Sequence, residues 1–136
     1  MSTAVIQKRL EINASPEQVW RVFTDPAISR QIGGEYATDW EVGSSLGWKG
    51  LDGTLYTHGT ITQIEPEELF QYQQFSLDDA RHLLATITYQ LELHGDTTIL
   101  YATEELHSEL TEKELEDASE GWNIALNAVK QTAENL

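Results

Sequence analysis

The sequence predicts an α+β fold in which one curved antiparallel sheet of about six strands lies under a long C-terminal helix. Two patterns lead to this prediction. Residues 38–103 show the alternation of apolar and polar side chains that is typical of β-strands, with turn residues between the alternating runs. Residues 111–133 instead repeat apolar side chains at helical spacing. The chain has 136 residues, so we expect a single domain over residues 1–136.

The N-terminal region is predicted to contain the first strand and then a helix. Residues 5–14 alternate between apolar and polar side chains, as a strand does. Ser15 and Pro16 favour a helix start, because serine caps a helix N-terminus and proline fits its first turn. This helix should end before Pro26, because the residue before a proline avoids the α-helical region. Residues 27–37 are expected to form a loop with room for one short helical turn.

The central region is predicted to contain the other strands, which follow one another in pairs. One pair is expected within residues 39–48, around a turn at Gly43-Ser44. A second pair is expected within residues 53–75, with a break at a Glu-Pro step, and a third within residues 83–105, around a Gly-Asp turn. Consecutive strands joined by such short turns are antiparallel neighbours.

The last helix is predicted to begin after Thr111, which forms a capping box with Glu114. Gly121 lies inside this helix and precedes Trp122, although an interior glycine costs roughly 1 kcal/mol relative to alanine. Two interpretations of Gly121 remain open: it is exposed or lets the helix bend, or it allows a strand or loop to approach closely. Because one helix does not fill a strongly curved sheet, we expect a cavity between them, rimmed by large aromatic side chains.

The charge of the chain disfavours nucleic acids and membrane surfaces as partners. There are 23 acidic and 8 basic residues, and the resulting net charge of −15 repels phosphate groups. The absence of cysteine excludes disulfides and thiolate ligands. The four histidines lack metal-ligand spacing, so we expect no metal and no cofactor. The sequence has neither an apolar export signal nor a membrane-spanning run, so we expect a cytoplasmic protein.

Aromatic side chains on the predicted sheet and final helix are the candidates for a ligand-binding site. Small-molecule sites are mostly apolar, with a few polar groups that orient the ligand. The proposed ligand-binding residues are Trp40, Trp48, Tyr56, His58, Tyr72, Tyr89, Trp122 and Leu126. Aromatic residues also fill ordinary protein cores, so both interpretations stay open for each of them. The pattern suits an apolar or aromatic ligand that carries one or two polar groups.

The sequence shows no complete catalytic motif. A Ser-His-Asp order, a glycine-rich phosphate loop and the zinc motif H-E-x-x-H are all absent from it. On a β-strand, Glu104 lies on the same face as Leu100 and Ala102, which are four and two residues before it. If this face points inward, Glu104 is a candidate general base. His58 is a candidate polar group of the cavity, whereas His82, His94 and His107 are expected at the surface. An enzyme would require two titratable groups facing one cavity, for instance His58 and Glu104.

Five segments of the sequence, in this order, carry a resemblance to a known superfamily: SPEQVWRVFTDP, WEVGSSLGW, GTITQIEPEELFQY, TYQLELHGDTTILYATEE and EGWNIALNAVKQ. Together they resemble the START-like, helix-grip superfamily of SRPBCC domains. The branch that the chain resembles most is that of the activator of the 90-kDa heat-shock protein ATPase. The resemblance covers residues 5–134. Many relatives carry a tryptophan near residues 30–32, where this chain has Arg-Gln-Ile.

The resemblance implies a helix-grip fold, in which an antiparallel sheet grips the C-terminal helix and two small helices follow the first strand. It also implies a pocket between sheet and helix. A hydrophobic-ligand-binding protein is the function that we expect first. The alternatives are a cochaperone-like interaction module that stimulates a chaperone ATPase, and a polyketide cyclase-like enzyme. We expect this protein to lack the separate N-terminal domain with which the cochaperone engages its chaperone.

Overall fold

The fold is described by a computed structural model, which covers residues 4–107 and 109–136. Its strands are β1 (Val5–Ile12), β2 (Gly34–Thr38), β3 (Ser45–Gly50), β4 (His58–Glu65), β5 (Leu69–Phe75), β6 (Leu83–His94) and β7 (Thr97–Leu106). They form one antiparallel sheet in the order β1-β7-β6-β5-β4-β3-β2. Register shifts after Ile61 and Gln74 are irregularities of the kind that bends a sheet. The predicted α+β, helix-grip class is confirmed.

The sheet has seven strands within the described residues, in line with the about six that the sequence predicts, but one of them is in a different place. Strand β2 falls in the predicted loop and pairs with β3. The strand expected just before Gly43 is not formed. Trp40 has a φ angle of 60°, which lies outside the extended region and takes the chain out of β2.

The helices are α1 (Pro16–Thr24), α2 (Pro26–Ser29) and α3 (Glu112–Glu134), and a 3₁₀ turn spans Arg30–Ile32. Ser15 caps α1, as predicted, and its hydroxyl accepts a hydrogen bond from the backbone N–H of Gln18. Pro26 ends α1 and also begins α2, so the two small helices that the resemblance implies are present. Arg30 reaches Glu35 at 2.8 Å and thereby ties the 3₁₀ turn to β2.

Helix α3 begins at the predicted capping box, in which Thr111 and Glu114 satisfy each other's backbone N–H groups. Its C-terminal half packs on the sheet and buries Leu126, Val129 and Ala133, which follow helical spacing. In its N-terminal half, residues 112–121, every residue is described and none is fully buried. The helix is therefore held mainly by its second half.

The core lies between the concave face of the sheet and the helices α1 and α3. Val19, Val22 and Phe23 of α1 meet the buried side chains of the central strands. Phe70 of β5 is fully buried and lies at the centre of an aromatic group. Where β7 begins, the buried Thr98 donates its hydroxyl to the carbonyl of Ala14 at 2.7 Å, which fixes the turn that leads into α1.

The structure decides between the two interpretations of Gly121. This residue is exposed, and a Cβ placed on it would meet no other part of the described chain within 4 Å. A close approach by a strand or loop is therefore the wrong interpretation. The glycine has no packing role that offsets its low helix propensity.

Replacing Gly121 with alanine should consequently stabilise the protein. We expect Gly121→Ala to raise the free energy of unfolding by roughly 1 kcal/mol. For a chain of this size, the melting temperature should rise by roughly 2–5 °C in calorimetry. Gly47→Ala is the matched control, because its Cβ would lie 2.5 Å from both Leu55 Cδ1 and the carbonyl oxygen of Thr57, and it should destabilise the protein. A loss of stability in Gly121→Ala would contradict the assignment of Gly121 as unconstrained.

Candidate functional site

A cavity of about 280 Å³ lies between α3, α1 and the concave face of the sheet. We call it the α3 cavity, and its lining residues are Val22, Phe23, Ile32, Tyr36, Trp48, Tyr89, Ala125, Leu126, Ala128 and Val129. An apolar cavity of about 150 Å³ in another protein accommodates benzene, so this space is large enough for a ring system. The gap expected between sheet and helix is therefore present in the structure.

The small side chains of α3 explain why the space is not filled. Ala125 and Ala128 line the α3 cavity from the helix side, and neither methyl group reaches across to the sheet. The opposite wall consists of the rings of Tyr36, Trp48 and Tyr89. Tyr36 and Trp48 meet edge to face with their ring centres 5.0 Å apart, so these two rings of the wall stabilise each other's position. Ala125 is exposed, which places an opening of the cavity beside the helix.

Three tyrosine hydroxyls form a polar group in this otherwise apolar region. The tyrosine cluster consists of Tyr36 on β2, Tyr72 on β5 and Tyr89 on β6. The hydroxyl oxygens of Tyr36 and Tyr72 are 3.4 Å apart, and Tyr89 is a further group that acts on the pKa of Tyr36. Burial raises the pKa of Tyr36 and raises the pKa of Tyr72 and of Tyr89 well above the ordinary value. All three therefore keep their protons at neutral pH and remain hydrogen-bond donors.

Glu104 faces the interior, as its strand parity predicts. Its carboxylate accepts a hydrogen bond from the indole N–H of Trp122 at 2.9 Å. The Trp122 ring also packs against Tyr89, with ring centres 5.8 Å apart. After burial and the other tyrosines, the negative charge of Glu104 is a further cause that raises the pKa of Tyr72 and Tyr89. The carboxylate and the tyrosine cluster thus belong to one electrostatic environment.

The structure brings some of the predicted site residues to the α3 cavity and leaves others behind its wall. Trp48, Tyr89 and Leu126 line the cavity directly. Tyr72 lies behind the wall, against Tyr36, with ring centres 5.9 Å apart. Trp40 packs on Tyr36 and on the core, and Trp122 packs on Tyr89 without being a lining residue. Whether any of these residues contacts a ligand stays a prediction.

Two predicted site residues lie away from the α3 cavity. Tyr56 is 55% exposed in the loop before β4, where its hydroxyl is 3.4 Å from Asp52. His58 packs against Phe75, with ring centres 6.4 Å apart. His58 and the buried Ile61 have opposite parity on β4, so His58 points to the other face of the sheet.

The suggested pair of His58 and Glu104 is not brought together. Their strands β4 and β7 are separated by β5 and β6, which at about 4.8 Å per strand places them roughly 14 Å apart. The two side chains also point to opposite faces of the sheet. His82, His94 and His107 are exposed, as predicted. Across the described part of the chain, no three His, Cys, Asp or Glu side chains come together as a metal site would require.

Several lining residues were not proposed from the sequence as ligand-binding. Tyr36 belongs to the strand β2, which the pattern around Gly33-Gly34 does not reveal. Val22 and Phe23 are buried apolar residues of α1, and Ala125 and Val129 lie on the predicted apolar stripe of α3. The helical periodicity therefore indicates their inward orientation, but it does not distinguish cavity lining from filled core. Ile32, at the end of the 3₁₀ turn, also lines the α3 cavity.

The family follows from the comparison of this sequence with known families. A sequence model described as Activator of Hsp90 ATPase homolog 1-like protein matches residues 13–134. The chain belongs to this family. The branch that the sequence resembles is thereby confirmed. No curated protein sequence matches the chain significantly.

Several solved structures have the same fold as this family member and match almost its whole chain. The Aha1 dimer from Colwellia psychrerythraea has a TM-score of 0.78 and 21% identity, covering 96% of each chain. Protein MLL2253 from Mesorhizobium loti has a TM-score of 0.80 and 17% identity, covering 97% of this chain and 98% of its own. ChR145 from Cytophaga hutchinsonii has a TM-score of 0.79 and 28% identity, covering 99% of this chain and 97% of its own. These structures support the fold assignment.

Membrane-spanning helices are absent from the described ranges of this family member. Within residues 4–107 and 109–136, no helix combines the length and the apolar composition needed to cross a bilayer. The cytoplasmic location stays a prediction.

Proposed function

We propose that this protein binds a small, largely apolar molecule in the α3 cavity. The observation that carries this proposal is the unfilled space of about 280 Å³, bounded by aromatic rings on the sheet and small side chains on α3. Protein interiors are normally close-packed, so an apolar space of this size that opens beside a helix is a feature typical of a ligand site. A ligand would recover the dispersion contacts that the lining side chains lack. The volume suits one aromatic ring or two fused rings.

The proposal is tested by closing the α3 cavity from the helix side. We expect 1-tetralone, a bicyclic ketone, to raise the melting temperature of the wild-type protein; at 100 times its Kd a ligand adds about 2.7 kcal/mol. Ala128→Phe places a ring in the cavity and should abolish this increase. Gln131→Phe adds the same ring at an exposed position of α3 and should leave the increase unchanged. An equal response of both variants to 1-tetralone would contradict the proposed site.

A second candidate function is the activation of a chaperone ATPase, which the family description favours. The exposed N-terminal half of α3 carries acidic side chains that suit a basic partner surface: Glu112, Glu114, Glu116, Asp117 and Glu120. The test is the ATPase rate of a purified Hsp90-class chaperone with and without this protein, at low and high salt. Stimulation that salt removes, and that Ala128→Phe leaves intact, would favour this function over ligand binding.

A polyketide cyclase-like reaction has less support from the geometry. Such an enzyme needs titratable groups that face one cavity. Glu104 and the tyrosine cluster share an environment, but His58 lies on the opposite face of the sheet. The buried tyrosines hold their protons tightly, because burial raises their pKa. They are therefore better suited to donating hydrogen bonds than to abstracting protons.

A further inference from the structure

We propose that the tyrosine cluster is the polar subsite of the α3 cavity, and that it selects ligands carrying a neutral oxygen acceptor such as a ring ketone. This inference rests on the proposed function and adds the chemical class of the ligand. Tyr36 and Tyr89 line the cavity, and Tyr72 contacts Tyr36 from behind. The three residues come from β2, β5 and β6, so only the folded sheet brings their hydroxyls together.

The tyrosine cluster contains hydrogen-bond donors that are held by a long contact. Three phenol groups supply three O–H donors. Among the described residues, the contact with favourable geometry is the one between Tyr36 and Tyr72, and at 3.4 Å it is long for two hydroxyls. The nearby Glu104 carboxylate already accepts the N–H of Trp122. A ligand oxygen that accepts a phenol O–H at a shorter distance would make a better hydrogen bond than this contact.

The charges around the tyrosine cluster favour a neutral acceptor over an anion. Glu104 accepts a hydrogen bond from Trp122, which packs on Tyr89, and the whole chain carries a net charge of −15. A ligand carboxylate would be repelled by this field and would also lose its hydration on entering an apolar cavity. A ketone loses much less hydration, and it accepts up to two hydrogen bonds from phenols. The apolar walls then bind the hydrocarbon part of the same molecule.

The inference is tested with 1-tetralone and tetralin, which share a carbon skeleton and differ in the carbonyl group. Calorimetric titration gives Kd for both probes with the wild-type protein and with Tyr36→Phe and Tyr89→Phe. Each variant removes one hydroxyl and keeps the ring. We expect Kd for 1-tetralone to rise about tenfold in at least one of these variants, as for one lost hydrogen bond. Kd for tetralin should change less than about twofold, because tetralin has no oxygen. Tyr56→Phe, at an exposed tyrosine, is the control and should change neither.

Three results would overturn the inference. If both probes bind the wild-type protein and respond equally to the loss of a hydroxyl, the tyrosine cluster does not select oxygen, while the proposed function stands. If tetralin-1-carboxylate binds more tightly than 1-tetralone, the preference for a neutral acceptor is wrong. If neither 1-tetralone nor tetralin binds the wild-type protein, both this inference and the proposed function fail. Each variant is first checked by its own thermal transition, and if one does not fold the other provides the test.

Discussion

Phe70→Ala is expected to lower the free energy of unfolding by about 4 kcal/mol, the largest effect of any single substitution considered for this protein. Phe70 is 0% exposed and packs against other aromatic rings on several sides. Its ring centre lies 5.1 Å from that of Trp40, 5.2 Å from Tyr72 and 5.5 Å from Tyr36. Alanine would leave a void that these rigid rings do not close. Urea unfolding followed by tryptophan fluorescence measures the change.

Phe75→Ala is the matched control, because Phe75 lies on the same strand. Its ring meets His58 on the outer face of the sheet and is only partly buried. We expect this substitution to cost about 1 kcal/mol, since partly exposed side chains lose less on truncation. Equal losses at Phe70 and Phe75 would show that the concave face of the sheet does not hold the main core.

Trp122→Ala is expected to cost roughly 3 kcal/mol, the second largest effect. The substitution removes the ring that packs on Tyr89 and also removes the hydrogen-bond donor to Glu104. The carboxylate is then left facing the interior without that partner, which adds to the loss of packing. Because Trp122 is not among the residues that line the α3 cavity, stability should change more than the affinity for 1-tetralone. Thermal unfolding with and without the probe separates the two effects.

Trp122→Phe distinguishes the packing contribution from the hydrogen bond. The phenyl ring retains most of the contact with Tyr89 but has no N–H for Glu104. We expect a loss of about 1–2 kcal/mol, intermediate between wild type and Trp122→Ala. In a Glu104→Leu background, where the acceptor is already gone, Trp122→Phe should cost clearly less. The same cost in both backgrounds would show that the bond between Trp122 and Glu104 contributes nothing.

The features predicted correctly from the sequence are those that local interactions determine. Ser15 and Thr111 start their helices because each side chain caps the backbone N–H of a residue three positions later. The direction of Glu104 follows from the two-residue period of a strand. The apolar stripe of α3 follows from helical spacing, and it places Leu126 against the sheet.

The features missed from the sequence depend on contacts between distant segments. Strand β2 is short, begins with Gly34 and is defined by its pairing with β3, so its own sequence carries little signal. For that reason the sequence does not identify Tyr36 as a lining residue. Trp48 and Tyr56 look equivalent in the sequence, yet Trp48 lines the α3 cavity and Tyr56 is exposed, because β4 begins only at His58. The sequence also does not indicate that a small side chain such as Ala125 leaves a space between α3 and the sheet.

The most direct test of a ligand in the α3 cavity is a nuclear Overhauser measurement between bound 1-tetralone and the methyl groups of ¹³C-labelled protein. We predict intermolecular signals to the methyl groups of Val22, Ala128 and Val129, which line the cavity from α1 and α3. Signals confined to exposed methyl groups such as those of Leu51 and Leu55, or none at a saturating probe concentration, would contradict ligand binding in the α3 cavity.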